Sequence, residues 1–405
     1  MSEFVITPIG KQKYFTSGVW VLVAFVLLGL SSAGYRFIYG LSAATNLTDG
    51  YPWGLWIGID VATGVALAAG GFTTAFLVHI IHRKEYHVLV RPALLTALLG
   101  YTFVALGLLA DLGRYYNVWH PMLPSMWQGN SALFEVGMCV MLYLTVLYIE
   151  FIPVVAERFE RGVELPGLFR KMDGVVSGLI RFLNRTVGRV MFIFIILGVV
   201  LSCMHQSSLG ALMTIVPTKL HPLWHTPILA LLFLLSAFAV GFPMVIFESL
   251  LASRSFHLKP ETIVLSSISR IIPILLGIYL AAKLIDMVNR ETYVYLIDGT
   301  PESISFLVEI FFGVIFPMLI FSIHSLRSKS SWLFTGSTLV VLGVALNRYN
   351  VFILGFKPVY AEARYIPAWT EIAVTVGLIS TLVLVYRLLV MKLPVIHGFG
   401  GYKSD

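Results

Sequence analysis

The stretch Val190-Met191-Phe192-Ile193-Phe194-Ile195-Ile196-Leu197-Gly198-Val199-Val200-Leu201 contains no charged or amide side chain. It runs on through Ser202-Cys203-Met204-His205-Gln206-Ser207-Ser208 before apolar residues resume. A helix that crosses a bilayer core of about 30 Å needs roughly 20 apolar residues. Residues 190–213 satisfy that length. Working outward, the segments 17–40, 54–81, 92–112, 132–156, 226–252, 263–285, 304–325, 332–352 and 368–391 meet the same standard. Segment 17–40 is too long for a signal-peptide core and lacks an A-x-A site, so it counts as a span. The expected fold is all-α: a polytopic membrane protein of ten transmembrane helices, with residues 1–405 forming one integral membrane domain.

Composition agrees. Of 405 residues, 58% are hydrophobic and 12% charged, against about 45–50% and about 25% in soluble domains. The mean hydropathy is +0.87, which excludes a soluble globular enzyme. Cys139 and Cys203 both lie in apolar runs and no C-x-x-C occurs. A disulfide framework, a zinc site and an iron–sulfur cluster are therefore not expected, and no metal is assigned to this chain. The net charge of +7 resembles a nucleic-acid signal, but the cations lie mostly in short loops between spans. That pattern points to the lipid bilayer as partner and not to nucleic acid.

Loop charges orient the chain. Both termini and the connections near 82–91, 157–189, 253–262 and 326–331 together carry 19 Lys and Arg, against eight on the opposite side (Arg36, Arg114, Lys219, Lys283, Arg290, Arg348, Lys357, Arg364). The positive-inside rule puts both termini in the cytoplasm, as expected for a bacterial inner membrane protein, and an even number of spans agrees. The connection 157–189, with Arg158, Arg161, Arg170, Lys171, Arg181, Arg185 and Arg189, reads as an amphipathic helix on the anionic leaflet or as a plain topogenic loop. No connection exceeds about 35 residues, so chemistry has to occur in the bilayer or through a docked partner.

Ionisable groups inside spans are costly and commonly mark ligand sites or proton relays. Here they gather in the periplasmic half of spans 1–5. Asp60 follows the aromatic lead-in Tyr51-Pro52-Trp53-Gly54-Leu55-Trp56, and Glu135 lies one turn inside span 4. Tyr101 is near the middle of span 3, Asp111 and Arg114 close it, and His205 lies about 22 Å into span 5. The bland alternatives are an aromatic belt for Trp53, Trp56 and Trp119, an Asp111–Arg114 ion pair, and an interhelical hydrogen bond for His205. Glu309, Glu371 and Asn347-Arg348 are expected mainly to pair with one another. On the cytoplasmic side, His79, His82, Arg83, Glu85, His87 and Arg91 around the 82–91 connection, with Glu150, Glu157 and Glu248 ending spans 4 and 6, form either a solvated rim or the mouth of a proton path towards Tyr101. Paired haem ligands are not evident: His79 and His205 lie at opposite depths, and His205 with His225 is the best remaining pair. The chain reads as haem-free.

Taken in order, Tyr51–Trp56, His87-Val88-Leu89-Val90-Arg91-Pro92-Ala93-Leu94-Leu95, Leu112-Gly113-Arg114-Tyr115-Tyr116-Asn117, Asn130-Ser131-Ala132-Leu133-Phe134-Glu135, Met204–Gly210, His221-Pro222-Leu223-Trp224 and Val245-Ile246-Phe247-Glu248 resemble the NrfD/PsrC family of membrane subunits. They look most like the HybB-type subunits of quinone-linked nickel–iron hydrogenases, followed by the membrane subunit of menaquinone reductase. Beyond about residue 250 the match is mainly hydropathy and Pro367-Ala368-Trp369-Thr370-Glu371. The resemblance implies two four-helix bundles, spans 2–5 and 6–9, with flanking helices. It also implies a menaquinone or other quinone as substrate-like cofactor, and a ferredoxin-like periplasmic iron–sulfur partner with a further catalytic or cytochrome subunit. It assigns Tyr101 and Glu135 to quinone protonation and proton transfer, and Asp60, Arg114 and His205 fall at matching motif positions; the residues themselves add Trp53 at the quinone and His79 and Glu150 on the proton path. The expected function is electron exchange between that partner and quinone with linked proton transfer, the chain acting as a quinone-reacting subunit and not as an enzyme alone. A secondary transporter would need matching interrupted spans and midplane sites, and none is evident in the sequence. A passive anchor for redox subunits is the other alternative.

Overall fold

The computed structural model describes residues 13–159, 173–361 and 363–396. Its long apolar helices are α1 (Ser17–Tyr39), α2 (Trp56–Ile80), α3 (Lys84–Asp111), α4 (Ala132–Phe159), α5 (Arg185–Thr214), α6 (Leu229–Ser255), α7 (Thr262–Asn289), α8 (Pro301–Ser322), α9 (Ser330–Leu354) and α10 (Trp369–Lys392). All ten coincide with the expected spans to within a few residues, apart from the earlier starts of α3 and α5. Successive helices run in opposite directions. The side on which α1 begins carries most of the Lys and Arg and is called the basic face; the other is the far face.

Helices α2–α5 pack into one four-helix bundle and α6–α9 into a second. The bundles join where α6 lies against α2 and α5, while α1 and α10 pack on each other at the flank. Bare backbone makes that flanking contact possible. A Cβ on Gly29 of α1 would fall 2.7 Å from the Gly377 Cα of α10. In the second bundle Gly313 and Gly343 bring α8 and α9 together in the same way, again at 2.7 Å.

Two expectations need correction. Of the connection 157–189, residues 160–172 lie outside the described residues, but the helix from Asp173 to Thr214 is continuous over 42 residues. No proline interrupts it. At 1.5 Å per residue it is about 63 Å long, so residues 173–189 extend α5 and do not form a separate interfacial helix. The spans are also not uninterrupted. Widened π-helical turns occur at Trp56–Thr63 and Phe76–Ile80 in α2, Phe311–Ile315 in α8 and Asn350–Leu354 in α9. Helix α7 consists of Thr262–Ile268 and Ile272–Asn289, the second part restarting at Pro273, which has no N–H to give.

The second bundle is held by a buried polar knot. Lys283 on α7 pairs with Glu309 on α8, the two being 5% and 2% exposed. The Glu309 carboxylate also accepts from Asn347 Nδ2 at 2.9 Å, Asn350 Nδ2 at 2.9 Å and Trp224 Nε1 at 3.1 Å. Arg348 donates to Asn347 Oδ1 at 2.6 Å and to Ser236 Oγ at 2.7 Å, and lies over the Phe233 ring at 3.6 Å. Glu309, Asn347 and Arg348 thus do associate as expected. Glu371 does not join them. Lys283 and Arg348, first counted among the far-side loop cations, are helical and buried. Every face of the Glu309 carboxylate is occupied, which identifies it as a structural group. Removing one partner would leave a bare charge in hydrocarbon, at a cost of about 3–5 kcal/mol. Lys283→Met should therefore sharply lower the thermal unfolding temperature in detergent. Adding Glu309→Gln, which removes the charge but keeps an acceptor, should restore at least half the loss; a wild-type melt for Lys283→Met alone would refute the role.

Candidate functional site

In the first bundle the polar groups line up across three helices. Glu135 stands in the first turn of α4, and its Oε1 accepts from Ser208 Oγ of α5 at 2.5 Å. One turn along α5, His205 Nδ1 lies 3.2 Å from the Tyr101 hydroxyl of α3. The Tyr143 ring of α4 meets Tyr101 edge-on, with centroids 4.5 Å apart. Tyr101 and His205 are both 0% exposed, whereas Glu135 faces outwards from the helices. The helical repeat explains this alignment. Glu135 and Tyr143 are eight residues apart and His205 and Ser208 three apart, so each pair shares one face of its helix.

The same site contains unused hydrogen-bonding capacity. Gln206 Nε2 donates to the Val65 carbonyl at 2.8 Å, beside the irregular turn of α2 at Ala68. Its Oε1 and the Nε2 of His205 are buried and have no partner in the protein. Such orphaned atoms are rare in folded interiors and call for water or a ligand. The bonded Nδ1 and the free Nε2 give His205 one contact to the relay and one outward.

The remaining expected residues are placed elsewhere. Asp60 turns to the flanking helix, where Thr375 Oγ1 of α10 donates to it at 2.8 Å. Trp53 packs against Phe356 from the second half of the chain, with centroids 5.6 Å apart. Arg114 is exposed on the loop after α3. The Asp111–Arg114 pair does not appear among the described residues, because α3 ends at Asp111 and the chain turns extended at Leu112. Arg36 of α1 instead caps that end, donating to the Ala110 and Leu112 carbonyls at 2.5 Å each. Glu371 is 0% exposed and accepts from the Asn46 and Ala368 N–H groups and the Tyr365 hydroxyl. Burial, then the Glu371 bond, hold Tyr365 above its ordinary pKa and keep it a donor. On the basic side, His79 faces His87 across 6.2 Å. Glu150 of α4 lies against Gly198 of α5, where a Cβ would come within 2.9 Å of its Oε1.

Tyr143, Arg36 and Thr375 are contributors that the sequence reading did not select. Tyr143 was detectable from its spacing to Glu135. Arg36 and Thr375 were not, because their partners are 74 and 315 residues away. His205 and His225 are not brought to each other: the first bonds Tyr101 and the second lies 3.4 Å from the Thr214 carbonyl. No group of three or more His, Cys, Asp or Glu fit to hold a metal ion occurs among the described residues.

Comparison with known proteins matches this architecture. The family model described as polysulphide reductase, NrfD, covers residues 43–359. A protein of Nitratidesulfovibrio vulgaris (strain Hildenborough) is 37% identical, over 97% of this chain and 98% of its own. The probable Ni/Fe-hydrogenase 2 b-type cytochrome subunit of Escherichia coli K12 is 31% identical, over 96% of this chain and 94% of its own. The menaquinone reductase integral membrane subunit of the same Nitratidesulfovibrio strain is 25% identical, over 93% and 91%. With the family model spanning most of the chain and the ten spans in place, this multi-pass membrane protein belongs to the NrfD family.

Proposed function

We propose that this chain is the quinone-reacting membrane subunit of a respiratory oxidoreductase complex. The observation that carries the reading is the series Glu135, Ser208, His205 and Tyr101, with orphaned polar atoms beside it, in the far-face half of one bundle. A quinone needs an apolar slot, one or two donors for its carbonyl oxygens, and a route for two protons. His205 and Tyr101 are the donors in this reading, and Glu135, open to the outside, exchanges protons with the far-face aqueous phase. Reduction of one quinone takes two electrons and two protons; oxidation of the quinol returns both. The electrons are exchanged with an extramembrane partner carrying iron–sulfur clusters, docked on the far face. The loop there exposes Tyr116, Trp119, Met122, Met126 and Trp127. Two relatives named as hydrogenase and menaquinone reductase subunits support the assignment.

In the same reading both termini are cytoplasmic, the far face is periplasmic and the chain is haem-free. One relative's name includes a b-type cytochrome, so this has a direct test. The purified chain, free of cytochrome partners, should show no reduced-minus-oxidised haem absorption; a stoichiometric b-type spectrum would overturn the reading. A reporter active only in the cytoplasm should work when fused after Asp405, and periplasmic activity there would reverse every depth assignment.

The proton acid has its own test. Glu135→Gln keeps the acceptor for Ser208 and removes the exchangeable proton. Assembly with the partner subunits should survive while quinone-linked turnover falls at least ~10-fold, the low end for loss of an acid–base group. Full turnover in assembled Glu135→Gln complex would move the proton exchange to another carboxylate.

A further inference from the structure

Where α3, α6 and α10 meet near the basic face, a cavity of about 30 Å³ is lined by Pro92, Ser249, Ser253, Glu261 and Tyr386, with Lys259 beside it. That volume exceeds what one ordered water needs. Two of its lining groups, Glu261 Oε2 and the Tyr386 hydroxyl, are buried and close no well-formed hydrogen bond in the protein. At its inner end the same is true of Glu248 Oε1 and the Thr96 hydroxyl. The geometry connects all four. Glu248 adjoins Ser249 on α6, Thr96 is one turn from Pro92 on α3, and the Tyr386 and Thr96 hydroxyls both point at the Glu248 carboxyl as loosely held hydrogen-bond donors. A carboxylate oxygen without a partner among the described residues on the cavity wall, and a loosely bonded acid behind it, are costly if dry and ordinary if wet.

We propose that this cavity is a water-filled proton inlet, leading from Glu261 and Lys259 at the basic face past Ser253, Ser249 and Tyr386 to Glu248. Of the acids expected at the cytoplasmic rim it takes Glu248 and leaves out His79 and Glu150, since Glu150 lies between α4 and α5 and Glu248 between α3, α6 and α10. Only O–H bonds form and break along it: a proton adds to a carboxylate or water oxygen and leaves from the next. Burial raises the pKa of Glu261 at the mouth, bringing its proton exchange closer to neutral pH. The use of the inlet rests on the proton-linked quinone reading above; its hydration does not.

Two measurements on the full chain in its complex separate these. In a background with Cys139→Ala and Cys203→Ala, Ser249→Cys and Ser253→Cys are exposed in membranes open at the basic face to a permanently charged methanethiosulfonate. Reaction requires the thiolate and therefore water. Both should react at least ~10-fold faster than Leu251→Cys, whose side chain is 47% exposed at the helix surface. Modification of Ser249→Cys no faster than of Leu251→Cys would overturn the inlet. In reconstituted complex, Glu248→Gln should lose at least ~10-fold of quinone-linked turnover while the partner's clusters still reduce a water-soluble dye at the wild-type rate. Unchanged turnover with a reactive Ser249→Cys would leave a wet cavity that is no inlet. A wild-type complex without quinone turnover would refute the proposed function, and the labelling would still decide hydration.

Discussion

Hydrocarbon supplies no hydrogen-bond partners, and that lack governs the whole molecule. Backbone groups can be satisfied only within helices, which is why ten spans account for nearly all the regular structure. Side chains obey the same constraint with more freedom, and the two bundles answer it differently. In the second, Glu309 is closed on every side by Lys283, Asn347, Asn350 and Trp224. In the first, His205 and Gln206 are equally buried, yet each leaves one polar atom unused, as Arg348 Nε also does beside the Glu309 carboxylate. A satisfied network fixes a packing arrangement; an unsatisfied one retains capacity for a ligand or a proton.

The relation between the bundles gives this contrast a structural basis. Glu135 on the fourth span and Glu309 on the eighth occupy corresponding helices of their bundles, both towards the far face. One is exposed and bonded only to Ser208, while the other is sealed beside a lysine. The same residue type on corresponding helices therefore has opposite surroundings, decided by whether a cation lies on the next helix. Helix α2 contributes to both bundles, packing on α3 on one side and α6 on the other. Its widened turns at Trp56–Thr63 and Phe76–Ile80 change the side-chain direction along its length. Through them Asp60 faces Thr375, and Trp56 Nε1 reaches the Glu371 carbonyl at 3.1 Å.

Much of this was legible in the sequence, for physical reasons. Span number and limits follow from apolar length, because the bilayer core has a fixed thickness. The Tyr101, Glu135 and His205 group was legible because an ionisable or hydroxyl group inside a span is conspicuous. Partner choice was not legible. The i, i+3 spacing of Asp111 and Arg114 suggested a pair, but the helix ends before the spacing has meaning, and Arg36 from α1 takes that end instead. Lys283, read as a loop cation, proved to be the counter-ion of Glu309. Local periodicity determines which face a residue occupies, whereas the helix opposite is chosen by contacts hundreds of residues apart.

The distribution of acids within the spans leads to a last step. Glu150 and Glu248 lie in the basic-face half of their helices, and Asp60, Glu135 and Glu309 in the far-face half. Of these, Glu309 has a lysine partner and Asp60 and Glu135 each a single hydroxyl donor, while Glu248 keeps an oxygen unpaired. An acid paired with a lysine shares its site with a cation that its carboxylate is needed to balance. An acid held by one hydroxyl can take or give a proton and keep that contact, since serine and threonine both donate and accept. On the proposed reading, the acids placed to carry protons are therefore the hydroxyl-bound and unpaired ones of α2, α4 and α6. The second bundle instead holds its buried acid against a lysine, an arrangement suited to packing.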